Sequence, residues 1–125
     1  MPMQEVFLEE VVKGRTFRIL KTYDSRFAHE AFGEMNGEAL EALAASLDLN
    51  SKFDESDIPA SKDIDYADFL WEEVLESARE EGSTLSFFVV SETEQSAARS
   101  LYVSPDWPSA ESFLKLRLTN IGKDS

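Results

Sequence analysis

The most regular hydrophobic pattern in this chain lies in residues 63–81 and predicts one amphipathic helix. Apolar side chains recur there three and four positions apart, which places them along one face of a helix. The members of this stripe are Ala67, Leu70, Trp71, Val74, Leu75 and Ala78. Gly82 stands just beyond the pattern, where a helix end is expected. The chain therefore contains at least one helix with an apolar face to bury.

A hairpin is predicted before this helix, in the first part of the chain. Residues 16–23 alternate, so Phe17 and Ile19 share one face of a strand. Residues 6–12 are apolar with two glutamates interrupting them, and they fit either a strand or a short helix. Gly14 lies between the two segments and tolerates the positive φ of a tight turn, which favours a hairpin.

A second pair of strands is predicted after the helix. Residues 84–91 are apolar on both strand faces, which is typical of a central strand that is covered on both sides. Residues 98–103 are expected to pair with them across a polar link at 92–96. These two segments add a second hairpin to the first.

Two further helices are predicted after the first hairpin, where the spacing of apolar residues changes from that of a strand to that of a helix. Residues 27–35 and 39–47 carry apolar side chains at helical spacing. Residues 50–62 are polar and have no period, so they predict an exposed loop. A last helix is predicted over 108–118, although the alternation within 114–118 also fits a strand.

These elements follow the order ββααα-ββ-α and predict an α+β fold. We expect an antiparallel sheet of about four strands, arranged as two hairpins and packed with three to four helices. The chain has 125 residues, a length that suits a single α+β domain over residues 1–125.

The overall charge excludes several classes of partner and site. The chain has 25 acidic and 12 basic residues and a formal net charge of −13. This balance argues against binding to nucleic acid or to an anionic membrane surface. The absence of cysteine excludes disulfides and thiolate metal sites. Neither a signal peptide nor a membrane-spanning run is visible, so we expect a cytoplasmic protein.

The negative charge is concentrated in residues 27–78, which hold 14 acids and only two lysines. Four carboxylates in the predicted helix of residues 63–81 follow a spacing of three, four and four: Asp65, Asp68, Glu72 and Glu76. This spacing stacks them along one helix face, opposite the apolar stripe. A second series on the two preceding helices comprises Glu30, Glu34, Glu38 and Glu41. The acids either keep the protein soluble or form a surface that meets a basic partner.

Trp107 is a second candidate for partner binding. It stands between Pro105 and Pro108 in a predicted turn. A rigidly held tryptophan can supply much of the binding energy of an interface. The alternative is that the ring folds back onto the core, because tryptophan side chains are mostly buried in proteins.

Motifs for catalysis or cofactor binding are missing. His29 is the only histidine, and we interpret it as a surface or boundary residue. The acids between residues 54 and 68 contain carboxylates that suit a divalent cation, but they do not match the EF-hand template. Neither of the standard glycine-rich phosphate loops is present. We therefore predict no catalytic residue, no cofactor and no metal site.

The leading hypothesis is a small protein-interaction module, such as an adaptor, an inhibitor or an immunity-type binder. Its acidic helical face would dock a basic protein surface through five residues: Asp65, Asp68, Glu72, Glu76 and Trp107. One variant of this hypothesis is mimicry of nucleic acid, which requires two long and regular acidic rows.

Two other hypotheses remain open. One is a small carboxylate-based hydrolase, with or without a divalent cation, which requires several acids in a concave pocket. The other is an oligomeric protein, in which the strand at 84–91 needs a partner chain to cover it. A homodimer could also form between the basic first hairpin of one copy and the acidic helices of another. The basic residues concerned are Lys13, Arg15, Arg18, Lys21 and Arg26.

Overall fold

A four-stranded antiparallel sheet forms the centre of the computed structural model, which describes residues 4–60, 65–79 and 85–123. Its strands lie in the order β1-β2-β3-β4: β1 Gln4–Val12, β2 Arg15–Thr22, β3 Phe87–Glu94 and β4 Ala97–Ser104. The α-helices are α1 Ser25–Gly33, α2 Gly37–Leu47, the single turn α3 Leu49–Lys52, α4 Tyr66–Arg79 and α5 Trp107–Lys123. A 3-10 turn at Glu55–Asp57 follows α3. The predicted α+β class and the order of elements are confirmed.

Side-chain caps fix the starts of the first two helices. The Asp24 carboxylate accepts hydrogen bonds from the backbone N–H groups of Arg26 and Phe27, so Asp24 is the N-cap of α1. The Asn36 side chain accepts from the backbone N–H of Ala39 and caps α2 in the same way. These bonds satisfy backbone donors that a helix start leaves unpaired, which explains why the helices begin where they do.

Several predicted boundaries need correction or lie outside the described residues. The segment 50–62 is not wholly a loop, because α3 and the 3-10 turn occupy parts of it. Leu49 is buried and Phe53 packs against the core, at a spacing too irregular to show as a period. The predicted start of the long helix at residue 63, its stop at Gly82 and the strand start at residue 84 lie outside the described residues. The sequence predicts that residues 85 and 86 are part of the strand, but β3 begins only at Phe87. The segment 114–118 is helical, as part of α5.

Both hairpins close through two-residue turns with positive φ. Lys13 and Gly14 have φ values of 52° and 79°, and Gln95 and Ser96 have values of 50° and 72°. Positive φ at both positions is typical of the type I′ turn, which matches the twist of antiparallel strands. The predicted link over 92–96 is therefore too long, because β3 continues to Glu94. Neither residue of this second turn is glycine or asparagine, so the usual sequence signal was absent.

Cross-strand pairs show that both faces of the sheet are buried at β3. Ile19, Val90 and Tyr102 stand opposite one another on β2, β3 and β4 and form one face. Val89 and Val103 form a pair on the other face. All five side chains are at most 1% exposed. The prediction of a covered central strand is confirmed.

Helix α5 covers the first of these faces, and α4 reaches the second. Phe113 of α5 stacks on Tyr102, with the ring centroids 4.4 Å apart. Trp71 of α4 stacks on Phe87, with the centroids 5.7 Å apart. Phe87 lies two positions from Val89 and so shares its strand face. The chain's own helices cover β3, so the strand does not need a partner chain to cover it, which was the reason for considering an oligomeric protein.

Candidate functional site

The four carboxylates of the predicted acidic row all lie on the exposed surface of α4. We call Asp65, Asp68, Glu72 and Glu76 the acidic face; Asp65 directly precedes the helix. Buried Leu70, Val74 and Ala78 occupy the opposite side. The helix has 14 residues and is about 21 Å long at a rise of about 1.5 Å per residue. The structure therefore brings these four acids together on one elongated surface.

None of these four carboxylates forms an ion pair within 4 Å in the part of the chain that the structure describes. The five ion pairs there involve four other carboxylates, at residues 9, 92, 94 and 111, with Glu92 paired twice. The like charges of the face are three and four positions apart, and each such pair destabilises a helix by a few tenths of a kcal/mol, roughly 0.2–0.5. The acidic face is thus a surface with unrelieved repulsion between its own side chains.

The second acidic series does not form a parallel row. Glu30 lines a depression between α1 and α4 together with His29 and Trp71. Glu34 and Glu38 line a different groove, beside β4. All of these glutamates are exposed, but they face different parts of the surface. The two regular rows that mimicry of nucleic acid requires are not present in the described residues.

One member of the second series adds charge near the acidic face. Burial raises the pKa of Tyr66, and the negative charge of Glu41 on α2 raises it further. Tyr66 begins α4, next to Asp65. The negative potential of the acidic face therefore continues onto α2 at this end.

Trp107 does not lie beside the acidic face. It is the first residue of α5, and its half-buried ring packs against Phe88 and Phe7, with centroids 5.7 and 5.9 Å apart. Phe88 lies on the strand face that α5 covers, whereas α4 contacts the other face through Trp71. The structure therefore separates Trp107 from the four carboxylates by the sheet.

Most basic side chains of the first hairpin form ion pairs or aromatic contacts with other residues of the same chain. Arg15 Nη1 lies 3.3 Å from Glu92 Oε1, and Arg18 Nε lies 2.9 Å from Glu9 Oε2. Lys21 Nζ lies 5.3–5.8 Å from the centroids of three aromatic rings. These contacts leave the hairpin less positive charge to offer to the acidic helices of a second copy.

Glu92 is a buried carboxylate that sequence reasoning missed. Its side chain is 3% exposed and sits between two arginines. Arg99 donates to Oε2 from Nη2 at 2.7 Å and from Nε at 2.9 Å, while Arg15 binds Oε1. Both oxygens are thus paired, which a buried charge requires. This cluster ties β2, β3 and β4 together near the second turn, and its chemistry is structural.

Among the described residues, His29 and the acids between positions 54 and 68 do not assemble a metal centre. His29 is exposed, and its ring centroid lies 4.9 Å from that of Trp71. Asp54, Glu55 and Asp57 are exposed, and Asp63 lies outside the described residues. Across residues 4–60, 65–79 and 85–123, no group of three or more histidine or carboxylate side chains is placed to hold a metal ion.

The described residues form a groove beside β4. It has a volume of about 370 Å³ and lies between the α1–α2 junction and α5. Its lining residues are Glu34, Asn36, Glu38, Arg99, Ser100, Leu101, Phe113, Leu116, Arg117 and Asn120. Sequence reasoning did not find it, because these residues come from three separate segments and share no motif.

Comparison of the chain with protein-family models, with curated proteins and with solved structures found no match. No helix in the described parts of the chain is both long and apolar enough to cross a membrane. The residues of the acidic face and of the groove therefore carry the functional inferences.

Proposed function

We propose that this protein is a small interaction module, of the adaptor, inhibitor or immunity type, that docks a basic protein surface through its acidic face. One observation carries the proposal: Asp65, Asp68, Glu72 and Glu76 are all exposed on one side of α4, and none of them forms an ion pair among the described residues. A basic partner would relieve the repulsion between them and gain attraction in doing so.

Electrostatic docking of this kind acts mainly on association rate and on the choice of partner. Complementary potentials steer the encounter, and like charges exclude acidic competitors. The row from Asp65 to Glu76 is about 16 Å long at a rise of about 1.5 Å per residue, and it suits a helix or strand that carries several lysines or arginines. Glu41 extends the same potential onto α2, as its effect on the pKa of Tyr66 indicates. The proposal also keeps a cytoplasmic location, with which a chain lacking cysteine is compatible.

Trp107, which the sequence suggested as a partner-binding residue, is not part of the docking surface in this proposal. Its ring packs on the opposite side of the sheet from α4, against Phe88 and Phe7. A partner that contacts α4 would have to wrap around the sheet to reach it. We therefore assign docking to the four carboxylates and treat Trp107 as a packing residue of α5.

A hydrolase based on carboxylates receives no specific support. The acids at positions 54, 55, 57, 65 and 68 are exposed, and none of them lines the groove beside β4. The two carboxylates in that groove, Glu34 and Glu38, share it with Arg99 and Arg117. The interaction module is thus the function that the arrangement favours.

The test compares two charge-reversed variants that change the net charge equally at different places on the surface. D68K/E72K alters the acidic face, and E5K/E10K alters exposed glutamates of β1. Each variant contains two reversals of two units and moves the net charge from −13 to −9. A partner is first isolated with the wild-type protein, and its binding to all three proteins is then titrated at about 50 and 300 mM salt.

We expect D68K/E72K to bind the partner about tenfold or more weakly at low salt, mainly through slower association. We expect E5K/E10K to bind nearly as the wild type does, because its change lies away from α4. Wild-type binding should weaken at the higher salt concentration, since screening reduces attraction between exposed charges. Equal loss in both variants would show a response to net charge alone and would refute docking at this face.

A further inference from the structure

The groove beside β4 has a polar end and an apolar wall, an arrangement typical of ligand sites. Arg117 and Asn120 of α5 lie with Asn36 and Ser100 among its polar lining. Leu101, Phe113 and Leu116 supply the apolar lining. The volume of about 370 Å³ falls within the range of about 300–1,000 Å³ that is usual for small-molecule pockets.

Of the two arginines that line the groove, one is ion-paired with a carboxylate and the other is not, among the described residues. Arg99 binds the carboxylate of Glu92 through both Nε and Nη2. Arg117 has no carboxylate oxygen within 4 Å among the described residues. Its Nε atom is buried and has no hydrogen-bond acceptor there. A buried donor on a charged group is a position where an added acceptor oxygen is strongly favoured.

The apolar wall is unusually accessible for side chains of its kind. Leu116 is 58% exposed, which makes it one of the few large apolar side chains that the fold leaves in contact with solvent. Phe113 lies beside it and is held in place by its stacking on Tyr102. An apolar chain lying along these two side chains would remove their surfaces from water.

Glu34 and Glu38 restrict which anions can enter. They lie at the end of α1 and the start of α2, and both line the same groove as Arg117. Together, the unpaired arginine and the two carboxylates have an excess of negative charge, so the site repels a doubly charged anion more strongly than a singly charged one. A phosphate group is therefore disfavoured, whereas a single carboxylate can be matched by the single guanidinium.

We propose that this groove binds a small amphipathic monocarboxylate. The carboxylate would pair with the guanidinium of Arg117, and the apolar chain would lie on Phe113 and Leu116. This site is separate from the acidic face of α4, and its existence does not depend on the proposed docking function.

The experiment titrates the full-length protein with octanoate and follows it by nuclear magnetic resonance. The signals to observe are the methyl groups of Leu101 and Leu116 and the Nε–H group of Arg117. We expect all three to shift in a saturable manner with octanoate. We expect 1-octanol to bind at least tenfold more weakly, because it lacks the charge that pairs with the guanidinium.

Variants on α5 locate the carboxylate contact. R117Q removes the guanidinium, and we expect it to weaken octanoate binding by about tenfold or more. K115Q is the matched control, because Lys115 lies on the same helix with its side chain 73% exposed and does not line the groove. We expect K115Q to bind octanoate as the wild type does.

A second double variant tests selectivity without touching the arginine. E34Q/E38Q removes the two charges at the rim, so we expect octyl phosphate to bind it more tightly than it binds the wild type. The proposal would be overturned if octanoate left the three signals unchanged, if octanol bound as tightly as octanoate, or if R117Q bound octanoate with wild-type affinity.

Discussion

The hydroxyl group of Tyr102 is buried where β4, α2 and α5 meet. It shares a hydrogen bond with Ser109 of α5 and is also hydrogen-bonded to Ser46 of α2. Burial raises the pKa of Tyr102 above its ordinary value of 10.0, and the two serine hydrogen bonds offset part of this rise. The fold therefore holds this side chain in its neutral form.

The raised pKa predicts a loss of stability in alkali. The unfolded chain releases the Tyr102 proton at about pH 10, whereas the folded protein retains it to higher pH. The stabilising contribution is complete below the unfolded-state pKa and is lost as the pH rises through the folded-state pKa. We expect Tyr102→Phe to lower the free energy of unfolding by about 1 kcal/mol at neutral pH. Between about pH 9 and 11, the variant should lose less stability than the wild type does, because it has no hydroxyl group to ionise at this position.

Urea unfolding at several pH values measures this difference. Tyr23→Phe serves as the control, because Tyr23 is 40% exposed and outside the strands. We expect this control to keep the wild-type dependence on pH. A Tyr102→Phe variant with the same alkaline loss as the wild type would contradict the assignment.

The turn between β3 and β4 has a backbone conformation that its residues disfavour. Gln95 and Ser96 adopt φ values of 50° and 72°, a region that residues other than glycine and asparagine rarely adopt. In the first hairpin, Gly14 occupies the corresponding second position at 79°. The β3–β4 connection therefore has its conformation imposed by strand pairing on both sides.

Replacing these residues with the preferred turn pair should stabilise the protein. We expect Q95N/S96G to raise the free energy of unfolding by about 0.5–1 kcal/mol, because Asn-Gly favours the type I′ turn. Gly14→Ala should lower it by about 1–2 kcal/mol through backbone strain alone, since no atom lies within 4 Å of the added Cβ. Thermal unfolding checks both changes, and a destabilised Q95N/S96G variant would argue against this turn geometry.

At the scale of the whole molecule, the net charge of −13 opposes the compact state. The described ion pairs relieve little of it, because only Glu92 among their carboxylates is buried. Screening by salt shortens the range of repulsion from about 30 Å at 0.01 M to about 10 Å at 0.1 M. The stability of this protein should therefore respond to ionic strength.

We expect the free energy of unfolding to increase as sodium chloride is raised from about 0.01 to 0.5 M. The neutral variant D68N/E72Q should be more stable than the wild type at low salt, by a few tenths of a kcal/mol, roughly 0.2–0.5 per relieved pair. This advantage should vanish at high salt. Denaturant titrations at both salt concentrations measure it, and an advantage that persisted at high salt would point to packing instead of charge.

The sequence by itself determined the elements and the sides of the helices. The alternation in residues 16–23 and the stripe from Ala67 to Ala78 are local patterns, and local geometry converts them directly into a strand and an amphipathic helix. The acidic face follows from the same rule, because spacing along one helix decides which side chains share a side. The short helical turns within segment 50–62 were not predicted, because isolated contacts such as that of Phe53 with the core produce no regular spacing of apolar residues.

The tertiary structure alone decided which residues of distant segments meet. Arg15 and Glu92 are 77 positions apart, and nothing in the spacing of either predicts their pairing. The groove likewise needs Glu34, Leu101 and Arg117 to converge from three elements. Strand order and helix placement also put Trp107 on the side of the sheet away from α4. Such contacts depend on how the elements pack in space, whereas the periodicity of a sequence records only which face of each element is buried.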